Sequence, residues 1–313
     1  MIIRDRPSGL RLFFILKGSI LPHVVGVLSA NIIVAIIVTV FHGSFSNLKI
    51  TLTPIPFTLI GLALAIFLGF RNTAAYDRFW EGRKLWGQLV YGSRNLAREC
   101  LSLISATEPA NFKTGLQDVR IRIIYRAIAF AHTLRQTLRE SGDLSELKEY
   151  LLEEDWRQLG KPAGNLNLLM LQMGRDVRLC LEQGRIDGPI ATAIDSTLSS
   201  MAAVAASCER IKNTPIPFSY SLLLHRTAYL YCFLLPFGLV DTTGFMTPVV
   251  VAIVAYTFFG LDALGDEIEE PFGTSDNDLP LDAICRTIES DLRKAVGDPD
   301  TPPPLMPIDY CLR

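Results

Sequence analysis

Four apolar runs, two near the start of the chain and two in its last third, leave few folds open to it. The first, Leu21–Phe41, is interrupted by His23 and Asn31. As a helix it would measure ~31 Å at 1.5 Å per residue, about the hydrocarbon thickness of a bilayer. A signal peptide would have a shorter apolar region and a small-residue cleavage site. Residues Phe41–Leu48 offer no such site, so the run reads as a retained span. The second run, Ile55–Phe70, is slightly short for a span, but Arg71–Trp86 contains no proline and can continue the same helix into water. The third and fourth runs, Ser221–Val240 and Phe245–Leu261, are separated by Asp241-Thr-Thr-Gly, which is too short for anything but a turn. They form a hairpin, with His225 and Arg226 near its start and Pro236 inside the first arm. A membrane helix tolerates such a proline when neighbours satisfy the freed carbonyl.

Residues 71–220 differ in kind. Apolar residues recur there at helical spacing, as in Ile121, Ile124, Ile128 and Leu134, between charged positions, and β-branched alternation is nearly absent. The stretch predicts several amphipathic helices broken near Glu108–Pro109, Ser141–Gly142, Lys161–Gly164 and Gly184–Pro189. The expected organisation is an N-terminal segment with two spans (1–70), a helical region (71–220), a transmembrane hairpin (221–261) and an acidic tail (262–313): an all-α membrane protein of about four transmembrane helices. Four spans place both termini on one side. Arg4, Arg6, Arg11 and Lys17 precede the first span, against only Lys49 in the loop at 42–54 and no basic residue in 241–248. That asymmetry makes the termini and the helical region cytoplasmic. The pentapeptide TPIPF occurs at 53–57 and at 214–218, before an apolar run each time, where proline should block helix continuation and set an extended lead-in.

Charge and motifs exclude more than they assign. The formal net charge of −2 gives no basic excess for nucleic acid. Six scattered cysteines (Cys100, Cys180, Cys208, Cys232, Cys285, Cys311) include no CxxC pair, and four histidines form no HExxH or HxH pair. No phosphate-binding glycine loop or nucleophile elbow is present. We therefore expect no enzyme, no cofactor and no metal site.

The helix expected from Ile55 has two rows worth separating. One holds Gly61, Ala65 and Gly69, small enough to let another membrane helix approach closely. Its neighbour holds Leu62, Ile66 and Phe70. In one copy taken alone these rows describe an ordinary helix contact. Around a symmetry axis, the small row would pack copies together and the large row would form stacked apolar rings, a constriction that gates by dewetting. Polar residues follow it: Asn72, Thr73, Asp77, Arg78 and Glu81. A secondary transporter using Arg226 and Asp241, or a membrane-anchored adaptor, are the competing readings; transporters usually show more spans and inverted repeats.

The segment RNTAAYDRFWEGRKLWG at 71–87, following LALAIFLGF, resembles the bacterial branch of the bestrophin family. Lys17-Gly-Ser-Ile20, Gly184-Arg-Ile-Asp-Gly-Pro-Ile190 and Glu270-Pro-Phe-Gly273 carry the same resemblance in the same order. It implies a homopentameric channel in the bacterial inner membrane with one axial pore. Leu62, Ile66 and Phe70 match the pore neck, and Ile190 matches a second narrowing at the cytoplasmic exit. The implied partners are permeating monovalent ions, the lipid bilayer and other copies of the chain. The bacterial branch implies monovalent cations, sodium or potassium, a preference also expected from the −9 carried after Leu261; chloride is the alternative. Animal members are opened by calcium through an unbroken acidic cluster after Pro-Phe-Gly. Here the run is Thr274-Ser-Asp-Asn-Asp278, which leaves Asp276 and Asp278 as the main charges. Calcium prefers six to eight oxygen ligands, so no metal ligand is assigned and Glu267–Asp278 is expected to be a solvated acidic segment.

Overall fold

The computed structural model describes residues 1–4, 9, 15–41, 44–45, 48–49, 53–106, 110, 112–141, 145–159 and 166–313. Nine α-helices are found among them: α1 (Leu21–Val40), α2 (Pro54–Leu103), α3 (Val119–Arg139), α4 (Glu153–Leu159), α5 (Leu166–Glu182), α6 (Gly188–Asn213), α7 (Phe218–Thr243), α8 (Thr247–Glu269) and α9 (Leu281–Ala295). A two-residue antiparallel pair, Ser44–Phe45 with Leu48–Lys49, lies between α1 and α2. The chain divides into two compact units. One comprises Met1–Ile3, Trp80–Thr214 and Phe272–Arg313; the other comprises Arg4–Phe79 and Pro215–Pro271. The divisions expected at residues 70, 220 and 261 fall inside α2, α7 and α8, because hydropathy marks where lipid contact ends, not where a helix ends.

Helix boundaries follow local chemistry. Asp118 caps α3 by accepting from the Arg120 amide at 2.9 Å. Asp187 caps α6, accepting from the Ile190 amide at 2.9 Å. Gly184, at φ +69°, ends α5 in the left-handed region where glycine carries no steric cost. The breaks expected near 141 and 184–189 coincide with helix ends, whereas Glu108–Pro109 and Lys161–Gly164 lie outside the described residues. The two TPIPF copies differ in backbone. Residues 214–217 lie between α6 and α7, with Pro217 extended (φ −54°, ψ 121°). At 53–57, by contrast, α2 already begins at Pro54, so the extended lead-in expected there is corrected to a first helical turn. Proline fits that turn because its missing N–H would have had no helical partner.

Around α3, the first unit buries its apolar residues in a conventional core; α5, α6 and α9 pack on this helix, and Ile121, Ile124, Ile128 and Phe130 are inaccessible. Opposite charges are buried with them. Arg126 holds Asp155 at 2.6 Å and also pairs with Asp176, which Arg122 grips through two bonds of 2.8 and 3.0 Å. The second unit packs α1, α7 and α8 together. Val24, Leu64, Leu68, Leu224, Ala228 and Phe259 form its larger cluster, and Ala35, Phe57, Leu235 and Val251 a smaller one. By length and composition, α1, α2 and the α7–α8 pair are apolar enough to cross a membrane. So is α6, with a mean hydropathy of 1.2 over its best window, although its sequence lies in the stretch expected to be cytoplasmic.

Candidate functional site

Pro54 starts α2, and its spacing then divides the helix into two faces. Leu64, Leu68, Arg71 and Ala75 recur at three or four residues, two turns after Phe57, and all five are buried. They hold the helix in the second unit's core. The other face is unpartnered: Leu62 is 62% exposed, Ile66 47% and Phe70 63%. The three side chains stand one helical turn apart, and Phe67 meets Phe70 edge-on at 6.3 Å. Asp77, two turns past Phe70 on the same meridian, is exposed. The small row is not uniform. A Cβ on Gly61 would lie 2.7 Å from the Tyr231 hydroxyl, so Gly61 is already packed on α7. Ala65 is exposed and Gly69 has open space around it.

Ile190 sits in the first turn of α6, fixed by Pro189 and by the Asp187 cap. It follows the meridian of Ile194, Thr197 and Met201, which are buried. Its place at the helix start leaves it half-buried.

The stretch Glu267–Asp278, expected to be solvated, is engaged in part: Glu270 and Asp276 are exposed, but Glu269 accepts the Ile216 amide at 2.9 Å and Asp278 is buried, accepting the Ser275 amide at 2.7 Å. The reason is local: α8 runs through to Glu269, and the turn after Pro271 needs its exposed amides capped. Farther along, Asp282 pairs with Arg135 and Arg139, Asp291 with Arg94 and Asp298 with Arg293. Among the described residues no group of three or more His, Cys, Asp or Glu side chains converges as a metal ligand set.

Sequence reasoning missed Arg71. It is 1% exposed and meets three acids of α8, Asp262, Asp266 and Glu269. The available signal was a charge at the edge of an apolar run together with acids four and three residues apart on another.

Long apolar helices held together by the buried Arg71–Asp262 pair fit a multi-span membrane protein. The Bacterial/Fungal Bestrophin family model matches residues 1–294. The chain is similar to the voltage-dependent anion channel-forming protein mll4386 of Mesorhizobium japonicum, 42% identical over 313 residues and covering 99% of this chain and 96% of the relative. It is similar also to the voltage-dependent anion channel-forming protein YneE of Salmonella typhi, at 41% identity with 98% of each chain covered. The crystal structure of a bacterial bestrophin homolog from Klebsiella pneumoniae superposes with a TM-score of 0.80 at 38% identity, covering 86% of this chain and 97% of that one. The chain belongs to the bacterial bestrophin family: it is a membrane channel protein and not an enzyme.

Proposed function

We propose that the chain is one subunit of a homopentameric channel passing small monovalent ions across the bacterial inner membrane. The observation that carries this reading is the unpartnered row Leu62, Ile66 and Phe70, set opposite the buried row that fixes α2. Around a fivefold axis each would become an apolar ring. An ion crossing it loses hydration that no protein dipole replaces, so the neck conducts only when it widens and wets. Ala65 and Gly69 leave room for a neighbouring copy's helix. Ile190, held by its cap and half-buried, forms the cytoplasmic aperture; support for this comes from the bestrophin resemblance. Both termini are placed in the cytoplasm. Supporting this, Met1–Ile3 pairs with Tyr310–Leu312, the Ile3 amide bonding Tyr310 O at 2.8 Å and the Leu312 amide bonding Met1 O at 2.9 Å, as an even number of spans requires. Of the basic residues before the first span, Arg6 and Arg11 lie outside the described residues. We assign α6 to the cytoplasmic region, because it carries Asp195, Glu209, Arg210 and Lys212.

Replacing Leu62, Ile66 and Phe70 together by Ala tests the neck. The variant should assemble and carry larger or more persistent currents with little change in ion preference; assembly without any gain would remove the row from the gate. Ile190→Ala should raise conductance with the fold intact, and an unchanged current would return Ile190 to packing.

Three observations bear on the sign of the permeating ion. The relatives are named anion channel-forming proteins, and Arg71, Arg94 and Arg139, from outside the acidic tail that argued for cations, pair with its Asp262, Asp291 and Asp282. Asp77 favours the cation reading, because on the neck meridian it would form a ring of five carboxylates. A reversal potential under a salt gradient decides between them. Asp77→Asn should shift it if cations are carried and leave it in place if anions are.

A further inference from the structure

Arg226 is an exposed cation on an otherwise apolar face of α7, between exposed Leu223 and Leu230. Among the described residues it has no hydrogen bond or ion pair. Its neighbour fixes its depth: His225 Nδ1 stands 2.7 Å from Asp262 Oδ2 on α8, and Asp262 pairs with Arg71 on α2. Three helices therefore begin to carry charge at one level. Beyond it, residues 54–70 of α2, 227–240 of α7 and 247–261 of α8 hold no Asp, Glu, Lys or Arg. The charge-free part of α2 measures ~25 Å at 1.5 Å per residue, close to the hydrocarbon thickness of a bilayer. Arg226 thus stands at the edge of the hydrocarbon, where lipid phosphates lie.

An apolar groove of about 350 Å³ begins beside it, between α2 and α7. Thr227 and Thr53 line it together with Pro56, Ile60, Leu230 and Leu234. Gly61 packs on Tyr231 and Gly238 on Phe57, so the two helices are antiparallel and Thr53 marks the end farther from Arg226. The Thr227 hydroxyl donates to Leu223 O at 2.8 Å and offers the groove no free donor. Arg226, Leu230 and Leu234 follow one another at single-turn spacing on α7. A helical side chain leans toward the N-terminus of its helix. Arg226 therefore leans away from the groove and toward the headgroup side, as a snorkelling arginine does.

One kind of molecule matches both features, with methylenes for the groove and an anion for the guanidinium. A second copy of this chain matches the groove but not the charge. The acids of α8 at this depth are taken, Asp262 by Arg71 and His225, Asp266 and Glu269 by Arg71. We propose that Arg226 and the groove bind an anionic glycerophospholipid from the leaflet on the side where α7 begins. Its phosphate sits on the guanidinium, and one acyl chain lies along α2 and α7. Arginine suits a phosphate because its planar fork offers two parallel N–H donors. Ile60 and Leu62 point about 200° apart on α2, so the lipid lies away from the neck row. The site stands whether or not that row gates a pore.

The test is native mass spectrometry of the full chain, purified in detergent and stripped of lipid, with phosphatidylglycerol added in steps. Wild type should retain phosphatidylglycerol about tenfold more tightly than a diacylglycerol with the same chains, as one charge-assisted phosphate contact implies. Arg226→Gln should remove most of that preference, and Arg226→Lys, which keeps the cation, should keep much of it. Thr227→Phe puts a ring at the head of the groove without touching the charge and should weaken retention of both lipids. Glycerol phosphate, a headgroup without chains, should displace neither. Equal retention of the two lipids by wild type, which requires no variant to fold, would overturn the proposal. So would an unchanged preference in Arg226→Gln. Displacement by glycerol phosphate would make this a site for a free anion and overturn the lipid assignment. A changed oligomer distribution in Arg226→Gln, with lipid retention per chain unchanged, would give the groove to a contact between copies and overturn it as well.

Discussion

In the unit built from Trp80–Thr214 and Phe272–Arg313, the two buried arginines each have a buried or half-buried acid: Arg120 has Asp118, and Arg126 has Asp155 and Asp176. In the unit built from Arg4–Phe79 and Pro215–Pro271, buried charge converges on Arg71 and Asp262, while Ile55, Leu59, Phe218 and Phe245 stand exposed. The difference reflects two solvents. Water drives apolar groups inward, so exposure separates core from surface. Lipid tails are as apolar as leucine and give no such drive. In the second unit, therefore, a residue facing lipid and one facing an ion path have the same exposure. Leu59 at 66% and Leu62 at 62% are not told apart by burial; only their row on α2, and its relation to a symmetry axis, separates them.

The contrast is broken most forcefully at Arg126. Arg126→Ala leaves Asp155 and Asp176 buried without their shared cation. The loss should be about 3–5 kcal/mol, the usual consequence of breaking a buried pair from one side, and would be measured by denaturant unfolding of the solubilised protein. A loss below about 1 kcal/mol would mean that water reaches the cluster as it does a surface pair.

Two glycines on one helix sharpen the comparison within the membrane unit. Gly61→Leu must displace Tyr231 and should destabilise the single chain by about 1–3 kcal/mol, as overpacking does. Gly69→Leu meets nothing within 4 Å, so the chain should fold normally and fail at assembly. Chemical cross-linking would show monomers in place of higher bands. Intact assembly in Gly69→Leu would take that position out of any contact between copies.

How far the sequence revealed all this depended on distance along the chain. Local signals were legible: proline and glycine marked the ends of α5 and α6, the short Asp241-Thr-Thr-Gly link marked the hairpin although α7 runs on to Thr243, and the row Leu62, Ile66, Phe70 could be drawn by spacing alone. Helix α2 was legible as a helix continuing past Arg71 but not in its full 50 residues, since amphipathic spacing does not announce a stop. Pairings were not legible. Arg71 and Asp262 are separated by 191 residues, and nothing in either segment names the other. The acidic tail misled for the same reason, because its charge was countable but its arginine partners lay on α2 and α3. The clash at Gly61 was equally hidden, since it depends on Tyr231.

A smaller effect separates the units by pH. His132 on α3 is buried with Glu146 and Glu289, each 3.6 Å from a ring nitrogen. Burial pushes its pKa down, but the two carboxylates more than offset this and hold it above the ordinary histidine value. Because the folded pKa is the higher one, this stabilisation is fully present below the unfolded value and is lost as pH rises through the folded one. The unfolding midpoint of the helical unit should therefore fall between about pH 6 and pH 8, and His132→Gln should flatten the dependence. A wild-type midpoint that rises over the same range would show that His132 is neutral in the folded chain.

The smallest effect is expected where animal bestrophins are most sensitive. A calcium clasp needs several carboxylates free to turn toward one ion. Here Asp278 already accepts the Ser275 amide from a buried position, Glu269 accepts the Ile216 amide, and Thr274 and Ser275 occupy the first positions of the run. Recruiting Asp278 to a metal would uncap its own turn, at a cost of about 1 kcal/mol for the lost hydrogen bond, while exposed Asp276 offers a single carboxylate. Raising calcium from chelated to millimolar levels should leave open probability unchanged, and Asp276→Ala should match wild type throughout. A steep, reversible calcium response that disappears in Asp276→Ala would mean that the turn opens to bind the ion, and that this loop does not behave like the fixed ion pairs of the helical unit.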